Sequence, residues 1–209
     1  MEELDIKDKI LKGSEELFRR YGIRSISMDD IARHLSVSKK TLYQHYADKE
    51  DLVVAVSKSH LQSQHQVFQM VKAASANTIE HLAKISVCMK QEMDMVNPAM
   101  LFDIQKFHPK AWAIWLNFKK ELIQEVVDNL KQGIDEGYIR EDINPEIFAV
   151  LRVETIQAAF TEELFQEKKF KLSEIHTQLF DHFVYGLVTD KGKKVYQKCK
   201  SKSIEITNP

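Results

Sequence analysis

Three helix-start signals crowd into residues 27–51: Ser27-Met28-Asp29-Asp30, Ser38 ahead of Lys39-Lys40-Thr41, and Asp48-Lys49-Glu50-Asp51. An oxygen at such a position accepts from a first-turn amide that has no partner within the helix. Asp30, three residues past Ser27, can reach back to complete a capping box. Starts this close together leave room only for short helices joined by tight turns. Ahead of them Ile6, Ile10, Leu11, Leu17, Phe18 and Tyr21 recur at helical spacing up to Gly22, which predicts a first helix over about 4–21. The second helix carries Ile31, Ala32 and Leu35 to a turn at Ser36-Val37, and the third runs from Ser38 to Tyr46. Leu52, Val53, Val56 and His60 begin a longer helix after Asp48.

Beyond residue 70 the helical period continues in longer stretches, predicted over 76–94, 98–107, 110–134, 145–167 and 172–188. Pro98, Pro109 and Pro145 fall where new helices can begin, and Gly133 and Gly137 bracket a turn. Alternating β-branched runs are scarce, so the fold class is all-α: an N-terminal three-helix helix-turn-helix domain and a larger helical bundle. With 6 Gly and 4 Pro in 209 residues, collagen-like and linker-rich chains are excluded. Residues 190–209 hold six lysines against two acidic groups, with little apolar material after Val195 and Tyr196, and are expected to be a basic, flexible tail. The expected division is therefore 1–48, 49–189 and 190–209.

Several function classes fall away. No apolar run approaches the roughly 18 residues of a membrane span. The acidic start MEELDIKDKI lacks the order of a secretory signal, so the chain is expected in the cytoplasm. Cys88 and Cys199 are isolated, which speaks against a disulfide scaffold and against a zinc clip. His60 and His65, and His176 and His182, are spaced so that neither pair shares a helix face, while His81 with Cys88 supplies two ligands at most. No Ser or Cys sits in a nucleophile elbow. No catalytic residue, metal site or cofactor is expected, and the chain is not read as an enzyme.

The formal net charge of −1 conceals a division. Residues 19–49 carry seven basic groups against three acidic, a net of +4, whereas residues 50–189 carry 14 against 20, a net of −6. Two short helices joined by a tight turn can set the second in a DNA major groove while the first braces it. Ile31, Leu35, Val37 and Leu42 supply the inside of such a pair. Lys39, Lys40, Tyr43, Gln44 and His45 supply donors and probes outside, suited to phosphates and base edges. Thr41 fits either a DNA contact or a local bond in the first turn.

The stretch from Phe18 to Leu52 resembles the amino-terminal DNA-binding domain of the tetracycline-repressor (TetR) family. Tyr21-Gly22, Asp30-Ile31-Ala32, Val37-Ser38, Thr41-Leu42-Tyr43 and Asp48-Lys49-Glu50 followed by Leu52 match its pattern. The resemblance implies a homodimeric, effector-responsive, sequence-specific transcriptional regulator, more often a repressor, acting on a double-stranded and palindromic operator. It implies a recognition helix over about Ser38 to Tyr46, with Ser27, Tyr43, Tyr46 and Lys49 at positions that approach phosphates. The candidate DNA-binding set is Ser27, Ser38, Lys39, Lys40, Thr41, Tyr43, Gln44, His45, Tyr46 and Lys49. Three residues depart from the pattern. Ser36 stands where Gly is usual and positive φ is cheap, Lys40 where a small residue is frequent, and Tyr46 where Phe is commoner, adding a hydroxyl that needs a polar partner.

For the rest of the chain the resemblance implies helices around an effector cavity and a dimer seam built by the last two main helices. Cys88, Met89, Met93, Phe102, Phe107, His108, Trp112 and Trp115 are the candidate pocket residues, suited to a small apolar or amphipathic effector. Phe148, Leu151, Thr155, Ala158, Ala159, Leu179, Phe183 and Gly186 are the candidate dimer contacts, the small ones permitting close helix approach. The alternative is a helical small-molecule-binding or adaptor protein without DNA-regulatory activity.

Overall fold

Each of the three crowded start signals opens a helix in the computed structural model, which describes residues 2–161 and 170–207. The helices are α1 (Glu2–Tyr21), α2 (Met28–His34), α3 (Lys39–His45), α4 (Lys49–Ala73), α5 (Thr78–Met95), α6 (Ala99–Phe107), α7 (Pro109–Asp135), α8 (Pro145–Thr161), α9 (Leu172–Leu187) and α10 (Asp190–Thr207). Residues 162–167 of the helix predicted over 145–167 lie outside the described residues. Ser27 Oγ accepts from the Asp30 amide at 3.2 Å while the Ser27 amide donates to Asp30 Oδ2 at 3.0 Å, the reciprocal pair expected of a capping box. Ser38 Oγ accepts from the Thr41 amide at 3.0 Å, and Asp48 Oδ1 from the Asp51 amide at 2.8 Å. Gly22, at φ +82, ends α1 with its amide on the Phe18 carbonyl at 2.9 Å.

The turn between α2 and α3 is a Schellman motif. The Val37 amide reaches the Ala32 carbonyl at 3.0 Å and the Ser36 amide the Arg33 carbonyl at 3.2 Å. Closing it requires a left-handed residue after the C-cap, and Ser36 takes that conformation at φ 53, alone in positive φ among the described non-glycine residues. The strain expected from Ser in place of Gly is thus present in the backbone.

The chain divides into two compact units, one of residues 1–65 with 95–118, the other of residues 66–94 with 119–209. In the first unit α1 packs on α2 and α2 on α3. Ile10, Phe18, Ile31, Leu42, Leu52 and Val53 are almost wholly buried together, and Ile104 of α6 and Ala111 of α7 complete the core. Full burial of Leu42 contributes about 1.5–3 kcal/mol, which matters for a helix too short to hold itself. Polar ties fix the α6 end: the Asn97 amide donates to the Arg19 carbonyl at 2.6 Å, the Arg24 amide to Asp103 Oδ2 at 3.2 Å, and His108 Nδ1 pairs with Glu50 Oε2 at 2.5 Å. Tyr46 also belongs to this core at 5% exposure, and its hydroxyl is buried with no hydrogen-bond partner.

In the second unit Ile79, Leu130, Ile139, Val184, Leu187 and Tyr196 form the core. Among the described residues the β-content is one antiparallel bridge, Ile139 to Val188. The segment expected to be a flexible tail instead forms α10. Val195, Tyr196 and Cys199 line one stripe of that helix and pack on the core, and Tyr196 is 1% exposed with its hydroxyl donating to Asp181 Oδ1 at 2.9 Å. Lys200 also pairs with Asp181. Few apolar residues are present, but their spacing places them on the same side, and composition alone does not register that.

Two stability predictions follow from the first unit. Ser36→Gly relieves the left-handed strain and raises unfolding free energy by about 1 kcal/mol in urea titration; a lower midpoint would mean that the Ser36 side chain contributes more than its backbone costs. Tyr46→Phe deletes a buried, unsatisfied hydroxyl and raises stability by about 1 kcal/mol on the same assay, whereas a loss of that size would place a bonded water on the hydroxyl.

Candidate nucleic-acid interface and effector cavity

On α3 the fully buried Leu42 fixes which residues face away from the core. Lys39, Lys40, Tyr43 and Gln44 are exposed, Tyr43 at 49%, and Thr41 and His45 are intermediate. Lys40 and Tyr43, with Gln44 beside them, thus form an outward stripe over two turns. Lys39 is already engaged, its ammonium 2.5 Å from Asp29 Oδ2 on α2. Thr41 Oγ1 lies 2.7 Å from Ser38 Oγ, the local bond that its position allows.

The remaining members of the candidate DNA set are placed differently. Ser27 is held by Asp30, its hydroxyl 2.5 Å from Oδ2, and these bonds, first those from Ser27, hold the Asp30 carboxyl below its ordinary pKa. Lys49 donates to the Ile23 carbonyl at 2.7 Å, and its partial burial lowers its pKa against the opposing pull of Asp103 and Asp30. Tyr46 lies in the core, where burial raises its pKa. The structure therefore brings Lys39, Lys40, Tyr43 and Gln44 to one surface and gives Tyr46 and Lys49 partners or burial within the fold.

In the second unit a cavity of about 70 Å³ is lined by residues of α4, α5, α7, α8 and α9. Phe68, Leu82, Ile85, Leu122, Val126 and Ile156 make its apolar wall, and His81, Asn129 and Arg152 are its buried polar members. Burial pushes the His81 imidazole down to about 4, with Lys72 and Lys84 adding to the effect, so the ring is neutral at physiological pH. Asn129 Nδ2 lies 2.8 Å from His81 Nδ1.

Of the candidate pocket residues, Met89 lines this cavity. Met93 is buried on α5, Cys88 is half-buried there, and burial raises its thiol pKa. Phe102, Phe107, His108, Trp112 and Trp115 belong to the first unit. There Phe107 lies under the Arg24 guanidinium at 4.5 Å, Trp112 packs on the core and Trp115 stacks at 6.0 Å with Phe118. Arg152, His81 and Asn129 were missed by the sequence reading. A signal for the first existed: Ala149, Arg152, Val153 and Ile156 follow helical spacing on α8, so a lone arginine occupies an otherwise apolar stripe, and all four are buried.

The candidate dimer residues separate by side. Ala159 and Phe183 are buried within the second unit and Phe148 is partly buried against its core, whereas Leu151 is 50% exposed. Ala158 and Leu179 are intermediate, Gly186 is exposed, and Thr155 bonds the Arg152 carbonyl at 2.7 Å. Ile147, Val150 and Tyr185 join Leu151 as large exposed apolar or aromatic residues of α8 and α9, two helices that pack on each other.

Comparison with known proteins agrees with the geometry of the first unit. Residues 10–56 match the family of bacterial regulatory proteins of the tetR type. A Bacillus subtilis protein described as an uncharacterized HTH-type transcriptional regulator, YvaF, is 27% identical over 184 residues, covering 88% of this chain and 96% of the relative. A TetR-family transcriptional regulator from Agrobacterium tumefaciens superposes with a TM-score of 0.76 at 14% identity, covering 90% of this chain and all of the other. The ketosteroid transcriptional regulator KstR2 of Mycobacterium tuberculosis does so with a TM-score of 0.61 at 19% identity, covering 88% and 95%. The capped helix pair with its outward lysines lies within the stretch that matches the tetR family of bacterial regulatory proteins, in an all-helical chain similar to these transcriptional regulators along most of its length.

Proposed function

We propose that this chain is a homodimeric repressor that reads a palindromic operator with residues 1–48 and senses a small molecule with residues 49–189. The observation that carries the reading is α3 itself: its buried Leu42 and its Ser38 cap orient Lys39, Lys40, Tyr43 and Gln44 outward within a segment of net +4. Such a helix suits the major groove, with lysines for phosphates or guanine edges and Gln44 for adenine. In this reading Lys40 and Tyr43 touch DNA, Lys39 exchanges Asp29 for a phosphate, and Tyr46 and Lys49 hold the reader in shape.

Dimerisation is assigned to α8 and α9. A helix apolar on all sides is buried on more than one, and α8 turns Ala149, Val153 and Ile156 inward while leaving Ile147, Val150 and Leu151 exposed. A second copy of the chain covers that outer face, and Gly186, with open space beside its Cα, lets the helices approach. Two copies then present recognition helices at the roughly 34–36 Å spacing of successive major grooves. The absence of any described helix long and apolar enough to cross a membrane agrees with action on DNA in the cytoplasm.

Selection of genomic fragments by the purified protein, repeated with candidate small molecules, tests the reading. It is expected to return one palindromic motif, and failure to enrich any sequence over a broad salt range would overturn it. On that motif Lys40→Ala is expected to lower affinity about tenfold and to make the slope of log affinity against log salt shallower by roughly 0.9, the signature of one lost phosphate contact. Lys39→Ala acts in the same direction with a smaller effect, because its ammonium leaves Asp29 to bind. Unchanged affinity and slope in both variants removes these residues from the interface. For the seam, Leu151→Glu is expected to yield a monomer by light scattering; a fully dimeric variant places the interface elsewhere.

A further inference from the structure

Arg152 is 5% exposed on the wall of the second-unit cavity, yet among the described residues it forms no ion pair. Its guanidinium carbon lies 4.6 Å from the Phe180 ring centroid and 5.9 Å from that of Phe183. Its Nη2 reaches His176 Nδ1 at 3.4 Å and Met89 Sδ at 3.9 Å, both weak and neutral partners. Burial, then the Arg152 charge, pushes His176 down to about 4, so this imidazole adds no charge of its own. Burial lowers Arg152 to about 10, which leaves it protonated at neutral pH. The lining carboxylate, Glu125, accepts from Gln69 at 2.9 Å. A desolvated cation without a counter-charge is costly, and aromatic faces and a thioether offset only part of that cost.

The same wall leaves further bonding capacity unused. His81 Nε2 and Asn129 Oδ1 are buried without hydrogen-bond partners. Because Asn129 and His81 already bond each other through Nδ1, at least one donor and one acceptor remain between them whichever way the amide is turned. A hydroxyl can satisfy both at once. The rest of the lining is hydrocarbon and aromatic ring, so the site combines one fork-shaped cation, a neutral polar pair and apolar surface.

Resting on the reading of this cavity as the effector site, we infer that the effector is an apolar organic monocarboxylate whose carboxylate is held by Arg152. The planar guanidinium can donate two parallel hydrogen bonds to a carboxylate, a match that an alcohol, amide or cationic amine lacks. The cavity is small, which favours a compact aromatic or medium-chain acid over a bulky one. A second polar group on the ligand is recognised by His81 and Asn129.

The full-length protein tests this by calorimetric titration with octanoate and benzoate against the neutral counterparts octanol and benzamide. Each acid is expected to bind at least tenfold more tightly than its counterpart and to raise the melting temperature. In Arg152→Gln that preference is expected to vanish, and in Arg152→Lys, which keeps the charge without the fork, to survive in weakened form. Equal binding of acids and neutral molecules, or an undiminished preference in Arg152→Gln, overturns the anion assignment while leaving the cavity as the effector site. Binding of no probe by a protein that still selects DNA overturns the cavity reading itself and the assignment with it. Arg152→Met supplies a readout without ligand: removing an uncompensated buried cation is expected to raise the melting temperature of the empty protein, and a clear fall would make Arg152 a structural group already satisfied.

Discussion

The burial of Leu42 is the contact on which the capped helix pair depends. A seven-residue helix forms too few internal hydrogen bonds to repay its nucleation, so α3 exists because one side chain is inserted fully into a core and one hydroxyl, that of Ser38, closes its first turn. That core is not supplied by residues 1–48 alone. Leu52, Val53 and Val56 from α4, Ile104 from α6 and Ala111 from α7 are part of it. The placement of α3 is therefore set by a unit larger than the motif, one also held by the ties of Asn97 to Arg19, Asp103 to Arg24 and Glu50 to His108.

What was legible in the sequence was local. Ser27, Ser38 and Asp48 could be read as helix starts because an N-cap bonds within three residues, and all three do so. The left-handed Ser36 was legible as a departure from a pattern that demands Gly. Partners distant in the chain were not. Nothing in the residues around Lys49 points to the Ile23 carbonyl, and nothing in the polar name of Tyr46 says that its ring fills the core. α10 was hidden for a related reason: its lysines dominate the composition, while its fold rests on the spacing of Val195, Tyr196 and Cys199.

The cavity illustrates the same limit at longer range. Its wall draws from Phe68 to Phe183, and no window of sequence contains it. The cluster of large side chains over 85–118 attracted the effector reading, but Phe107 stacks on Arg24 and His108 pairs with Glu50, so much of that richness goes into the core and ties of the first unit. Arg152 was readable by another route. An arginine within the inward stripe Ala149, Val153 and Ile156 demands an explanation by charge balance before any fold is known.

Charge balance also bears on how a ligand could act on DNA binding. A molecule that binds two states equally shifts neither, and a tenfold change in operator affinity needs about 1.4 kcal/mol of differential binding. An apolar contact changes gradually as side chains rearrange. A buried guanidinium and a carboxylate interact strongly only when the fork is aligned and water is excluded, so their interaction distinguishes sharply between arrangements of α8 and α9. α4 and α7 each contribute residues to both compact units: Leu52 and Val53 of α4 lie in the first core while Phe68 lines the cavity, and His108, just before α7, pairs with Glu50 while Leu122 and Asn129 of α7 line the cavity.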